Sequence, residues 1–150
     1  MKKEFHTASV AETQALAEQL AAHLVPPDVL TLEGDLGAGK TTFTQALVRA
    51  LGVSRTVSSP TFTIIKQYDG TYPVNHLDVY RLEDSEEDLG WEELFYGDAI
   101  SIVEWAGFIA EELPDERLNI RIRRTGNTSR LIELEPAGMH FTKICEAISK

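Results

Sequence analysis

The stretch "LTLEGDLGAGKTTFTQAL", Leu30 to Leu47, decides how the rest of the chain is read. It holds Gly34-x-x-x-x-Gly39-Lys40-Thr41, the full phosphate-binding loop pattern. The apolar run "VLTLEG" before it reads as a short buried strand, and Lys40 to Leu51 after it as a helix. Phe43, Ala46, Leu47, Ala50 and Leu51 recur at helical spacing, and Gly52 is a fitting stop. Each residue type has a reason to be there. Gly34, Gly37 and Gly39 let the backbone curl so that successive N–H groups face inward. Those groups and the helix N-terminus cradle anionic phosphate. The Lys40 ammonium reaches the β- and γ-phosphates from what reads as a solvent-facing loop, and the Thr41 hydroxyl ligates Mg²⁺.

A nucleotide–Mg²⁺ site also needs a carboxylate at the end of a nearby strand. "AISIVE" is the most apolar short run in the chain and ends on Glu104. "VNHLD" ends a weaker strand on Asp78. Glu104 is assigned to the metal side, directly or through water. Asp78 is assigned to activation of the attacking water or to support of the site. "NHLD" imitates the guanine reader of GTPases with His76 in place of lysine. It comes only 35 residues after Lys40 and reads as strand, so guanine specificity is not expected. His76 is not expected to bind metal, because His6, His23 and His140 are scattered without ligand spacing. In "SSPTFT", Pro60 holds Ser59 extended. Thr61 there is either a γ-phosphate sensor or part of an ordinary turn into a strand, and the residues leave both open.

The 150 residues amount to one domain, 43% hydrophobic and 25% charged, the balance of a soluble globular protein. No apolar run is long enough to span a bilayer, and "MKKEFHTASV" lacks the apolar core of a signal peptide. The single cysteine, Cys145, allows no internal disulfide, and a reducing cytoplasm is the simplest location. The net charge of −10 argues against autonomous gripping of nucleic acid, which normally requires a basic face.

Elsewhere, "SVAETQALAEQLAAHL" opens with a capping-box pattern, Ser9 then Glu12, and stops at Pro26-Pro27. "TFTIIKQY" and "YPVNHLDVY" read as strands around a turn at Asp69-Gly70. "EDSEEDLGWEELFYGD" reads as an acidic, partly helical surface segment, and "GFIAEEL" as a helix. "LNIRIRR" and "RLIELEP" alternate around "TGNTS", an antiparallel hairpin that turns Arg123 to solvent. "FTKICEAIS" closes the chain as a helix. The expected fold is α/β: a P-loop NTPase-like three-layer domain over residues 1–150, with a central mixed sheet and a C-terminal antiparallel hairpin.

"GDLGAGKTTF", "SPTFTI", "HLDVYRLED", "EDLG" and "IVEW" stand here in the order and spacing of the TsaE family, formerly YjeE or YdiB. The chain closely resembles these bacterial P-loop ATPases from the Ser9 helix to the "TGNTSR" turn. The resemblance implies a part in making N6-threonylcarbamoyladenosine at position 37 of tRNAs reading codons that start with A. It implies ATP and Mg²⁺ as cofactors and a TsaD–TsaB heterodimer as the partner, which this ATPase resets between turnovers. It implies tRNA met only through that complex, and no membrane. By matching motif, Leu36, Gly37, Ala38, Gly39, Lys40 and Thr41 wrap the phosphates, and Thr41 and Glu104 serve Mg²⁺. Asp78 is the further acid required for activity. Trp105 lies near the nucleotide, and the segments at Ser9 and Asn127 touch base or ribose.

Without the resemblance, ATPase or GTPase, small-molecule kinase and non-catalytic nucleotide-dependent adaptor all use this loop. A kinase usually adds a mobile arginine-bearing lid, and no lid-like segment follows a helix here. No arginine finger is evident within the core motifs. Arg81 in "DVYRL" is the nearest, and it is equally suited to pair with the acids after it. Such a charge raises phosphoryl transfer by about 10³–10⁵-fold. Slow hydrolysis by the chain alone, accelerated by a partner, is therefore expected.

Overall fold

The computed structural model describes residues 2–34, 39–54, 65–78, 95–104 and 113–148. Among these, seven strands form one mixed sheet: β1 (Lys3–Thr7), β2 (Val29–Gly34), β3 (Ile65–Asp69), β4 (Pro73–Asp78), β5 (Ile100–Glu104), β6 (Arg117–Arg124) and β7 (Arg130–Ala137). The spatial order is β1-β7-β6-β2-β5-β4-β3. β2 lies at the centre, parallel to β5 on one side and to β6 on the other. β4 runs parallel to β5, while β3–β4, β6–β7 and β1–β7 are antiparallel.

Side chains alternate across a strand, so register decides which residues share a face. Leu30 and Leu32 of β2, Ile100 and Ile102 of β5, Leu118 and Ile120 of β6, and Phe5 of β1 belong to one buried cluster. The helices α1 (Val10–Ala21), α2 (Lys40–Ala50) and α3 (Met139–Ala147) cover that face. Leu16, Leu20, Phe43, Leu47, Phe141 and Ile144 are their buried stripes. On the opposite face the two halves of the sheet differ. Val29, Leu77 and Val103 are buried there, whereas the β1-β7-β6 half carries charge. Arg121 donates to Glu33 at 3.0 Å, and this hydrogen bond raises the guanidinium's already high pKa. Arg123 is exposed, as the alternation requires, 3.7 Å from Glu133.

Local signals set the element ends. Ser9 caps α1 by accepting from the Glu12 N–H at 3.2 Å. α1 stops at Ala21, ahead of Leu24, which is buried beyond the helix. Asp28 then accepts the Val25 N–H and pairs with His140, tying the turn before β2 to α3. Gly52, with φ +97°, ends α2 in a left-handed conformation that a side chain would disfavour. The 70–72 turn leans on that helix end, where the Thr71 N–H donates to the Leu51 carbonyl at 2.8 Å.

Several expectations need correcting. The N-terminal segment is an edge strand, β1, which local pattern missed because only Phe5 is a large apolar residue facing the core. β3 extends to Asp69, so the turn falls one residue later than read. The last helix starts at Met139 rather than Phe141. The acidic segment ends with Phe95 fully buried beside Tyr96, which is 63% exposed, so it is not surface throughout. The "SPTF" turn, Arg81, the stretch from Glu86 to Glu93 and most of "GFIAEEL" lie outside the described residues. Among the described residues no helix is long and apolar enough to cross a membrane.

Two outcomes test this packing. Leu30→Ala, at the centre of the sheet, should cost about 2–5 kcal/mol in urea unfolding, the range for leucine truncation in a core. Burial pushes the Cys145 thiol pKa up, against a weaker opposing pull from Lys3. The cysteine should therefore resist an aromatic disulfide reagent in the native protein and label fully in denaturant.

Candidate nucleotide site

β2 ends at Gly34, and α2 begins at Lys40 with Gly39 as its N-cap, at φ +100° and ψ 17°. The first turn of α2 has no side-chain cap and no acidic residue. Such a turn presents the positive end of a helix dipole, the environment an anion seeks. Gly34 and Gly39 thus stand where the sequence put them, and Leu36, Gly37 and Ala38 lie outside the described residues.

The carboxylates follow from the parallel register. β5 ends at Glu104 and β4 at Asp78, and the two are direct partners across the β4–β5 ladder. Glu104 also pairs in register with Leu32 of β2, two residues before Gly34. Both acids therefore lie at the carboxyl ends of adjacent parallel strands, beside the strand that feeds the loop. This is the edge at which open α/β sheets bind ligands. Asp78 is described through its backbone.

Glu104 is buried, with its side chain 8% exposed. Its Oε1 lies 3.8 Å from Lys40 Nζ, ion-pair contact but too long for a hydrogen bond. Its Oε2 lies 2.7 Å from His76 Nε2. The Lys40 side chain is only 17% exposed. That corrects the expectation of a solvent-facing lysine, because α2 packs onto the sheet and carries its first residue over the strand ends. Thr41 is exposed on the same first turn.

The hairpin turn comes to the same end of the molecule. The Thr128 hydroxyl donates to the Ala8 carbonyl at 2.9 Å, which sets Asn127 and Ser9 on neighbouring segments. Ser9 spends its hydroxyl on capping α1, and the Asn127 side-chain carbonyl accepts from Arg124 at 3.3 Å. Arg130, the first residue of β7 and not singled out as a site residue from the sequence, ties this turn together close to Gly39. Its Nη1 donates to the carbonyls of Gly126, Asn127 and Ser129 at 3.1, 3.4 and 2.7 Å. Its Nε lies 3.3 Å from where a Cβ on Gly39 would stand. Ninety-one residues separate Gly39 from Arg130, and no local pattern signals their meeting. Thr61 and Trp105 lie outside the described residues. "NHLD" lies in β4, a strand rather than a base-reading loop, as expected.

Arg130→Ala removes the side chain that holds the turn together beside Gly39. Charge-assisted hydrogen bonds are worth about 1.5–3 kcal/mol. Affinity for a fluorescent adenine nucleotide should therefore fall about tenfold or more. Unchanged affinity would mean that the turn does not border the bound nucleotide.

With this geometry in place, comparison with known proteins gives a consistent result. Residues 7–132 match the family described as "Threonylcarbamoyl adenosine biosynthesis protein TsaE". A Bacillus subtilis protein named tRNA threonylcarbamoyladenosine biosynthesis protein TsaE is 51% identical over 148 residues, covering 98% of this chain and 94% of the relative. A Treponema pallidum protein of the same name is 39% identical over 106 residues, covering 69% and 78%. The crystal structure of Bacillus subtilis YdiB superposes with a TM-score of 0.83 at 45% identity, covering 97% of this chain and 93% of that one.

Proposed function

This chain belongs to the TsaE family, whose proteins take part in tRNA threonylcarbamoyladenosine biosynthesis, and from that premise we propose a Mg²⁺-dependent ATPase. Its work in the proposal is to bind and reset a TsaD–TsaB complex during formation of N6-threonylcarbamoyladenosine at position 37 of tRNAs reading codons that start with A. tRNA is met through that complex, in the cytoplasm. The observation that carries the reading is the meeting of Lys40 and Glu104 where a glycine-bounded loop opens into α2.

The donor types fit the ion. Mg²⁺ takes oxygen ligands and is commonly held by one or two carboxylates together with substrate phosphates. The Thr41 hydroxyl and Glu104 Oε1 are hard oxygen donors near the first turn of α2. Among the described residues no cluster of three His, Cys, Asp or Glu side chains stands ready to hold a metal. In the proposal the phosphates complete the ion's oxygen ligands, and metal and nucleotide bind together. When bound, the ion neutralises charge on the transferring phosphoryl oxygens.

The protein's own residues do the rest. The N–H groups at the start of α2 hold the phosphates. Lys40 turns from Glu104 toward the β- and γ-phosphates, exchanging one anionic partner for another. Glu104 and Thr41 fix the metal side. Asp78, one strand over, serves the attacking water. Leu36, Gly37 and Ala38 complete the phosphate cradle, Thr61 senses the γ-phosphate, and Trp105 flanks the nucleotide. Ser9 and Asn127 lie on the segments that face base or ribose. Arg130 donates to three carbonyls of its own turn, and in the proposal the partner either supplies the accelerating charge or orders "SPTF" around the γ-phosphate.

Variants separate these roles. Lys40→Ala should abolish nucleotide binding or turnover. Lys40 touches a buried carboxylate, so Lys40→Gln and an unfolding curve belong beside it. Glu104→Ala should weaken the Mg²⁺ dependence of nucleotide affinity. Asp78→Ala should spare affinity and depress turnover, as expected for an interaction made only in the transition state. Identical wild-type behaviour of Glu104→Ala would move the metal role to another carboxylate.

Single-turnover hydrolysis of saturating ATP, with and without TsaD–TsaB, tests the function itself. Phosphate release should be slow alone and faster with the partner. A phosphorylated small product would indicate a kinase, and tight binding without turnover an adaptor.

A further inference from the structure

His76 lies within β4, 1% exposed, on the apolar helix-covered face of the sheet. Its register partner on β5 is Ile102, and its neighbour two residues back is Val74. Packing there asks for an apolar side chain. A histidine instead leaves Nδ1 buried without a hydrogen-bond partner, a cost that valine or leucine would avoid. What the ring gains is a single contact, Nε2 to Glu104 Oε2 at 2.7 Å.

We propose that His76 is a positioning residue, its Nε2–H clamping Glu104 Oε2 so that Oε1 is presented toward Lys40 and the metal. This rests on the reading of Glu104 as the metal-side acid. An ionised carboxylate only accepts, so in this contact His76 Nε2 is the donor. Among the described residues Nε2 to Oε2 is the ring's one hydrogen bond, so the clamp is one-sided. A glutamate has three side-chain torsions, and without the clamp its carboxylate is free to rotate and offer both oxygens to Lys40. With Oε2 pinned, Oε1 stands 3.8 Å from Lys40 Nζ, so that contact does not use its lone pairs in a hydrogen bond. Parallel register makes the arrangement possible. His76 sits level with Ile102, and Glu104 is the next residue along β5 on the same face, one step closer to the loop. His76 is thus a support for a ligand rather than a ligand, which agrees with the absence of metal-ligand spacing among the histidines.

The test uses the full chain and equilibrium titration of a fluorescent ATP analogue against Mg²⁺, with no hydrolysis measured. His76→Leu removes the donor and keeps an apolar filling. The Mg²⁺ concentration for half-maximal gain in affinity should rise about tenfold or more, within the range seen when the partner of a metal ligand is lost. Affinity without Mg²⁺ should not rise, because an unclamped Glu104 competes with the phosphates for Lys40. His76→Gln places an amide N–H near the position of Nε2 and should restore most of the Mg²⁺ dependence. His76→Asn places its amide near Nδ1, out of reach, and should not restore it. The Gln and Asn pair carries the same contrast if His76→Leu does not fold. Glu104→Gln separates the two levels of the argument. If Glu104→Gln loses Mg²⁺ dependence while His76→Leu and His76→Asn keep it, the clamp is overturned and the Glu104 reading stands. If Glu104→Gln also behaves as the parent, the reading of Glu104 fails and the clamp falls with it.

Discussion

A carboxylate buried at the end of an apolar strand must be compensated, and in this fold that carboxylate is Glu104. Removing one partner of a buried ion pair typically costs about 3–5 kcal/mol, because the charge left behind is stranded. Glu104 answers that cost with one oxygen on His76 and the other beside Lys40. Each partner comes from a different element, β4 and α2, so the charge can be satisfied only when three parts of the fold are in place. The parallel pairing of β2, β5 and β4 provides that. It sets Leu32 level with Glu104 and Asp78 level with Glu104, and the loop leaves β2 two residues later.

The same constraint explains why this end of the sheet is suited to phosphate. Lys40 is held by a carboxylate at a distance that falls short of a hydrogen bond. A phosphate offers the lysine a stronger anionic partner, and a divalent cation offers Glu104 a replacement for the lysine. In the proposed ATPase, nucleotide and metal bind by exchanging partners already present. The overall charge of −10 fits a chain that works on a partner complex and leaves the tRNA phosphates to others. The charged half-face of the sheet is largely self-paired, with Glu33 on Arg121 and Glu133 on Lys2 and Arg123.

What could be read from the sequence was local, and what could not was carried by register. The loop pattern placed β2 and α2 to within a residue, because glycine, lysine and the flanking periodicity act over about twenty positions. The hairpin of β6 and β7 was legible from strict alternation, and Glu104 from an apolar run ending in an acid. β1 was not, because its stability comes from pairing with β7, Phe5 opposite Ile132, and from little in its own composition. The contact of His76 with Glu104 and the approach of Arg130 to Gly39 depend on which strands lie side by side. No spacing in the sequence encodes that. The sequence gives no metal-ligand spacing for His76, and its partner could be known only once β4 was placed beside β5.

The most direct test of the account is a crystal structure of this chain with Mg²⁺ and a non-hydrolysable ATP analogue. The account predicts phosphates against the backbone N–H groups at the start of α2 and Lys40 Nζ moved from Glu104 to the β- and γ-phosphates. It has the Thr41 hydroxyl and Glu104 Oε1 on the side of the ion, with His76 still holding Oε2. A nucleotide seated elsewhere, or an ion at the phosphates with Glu104 turned away from it, would contradict it.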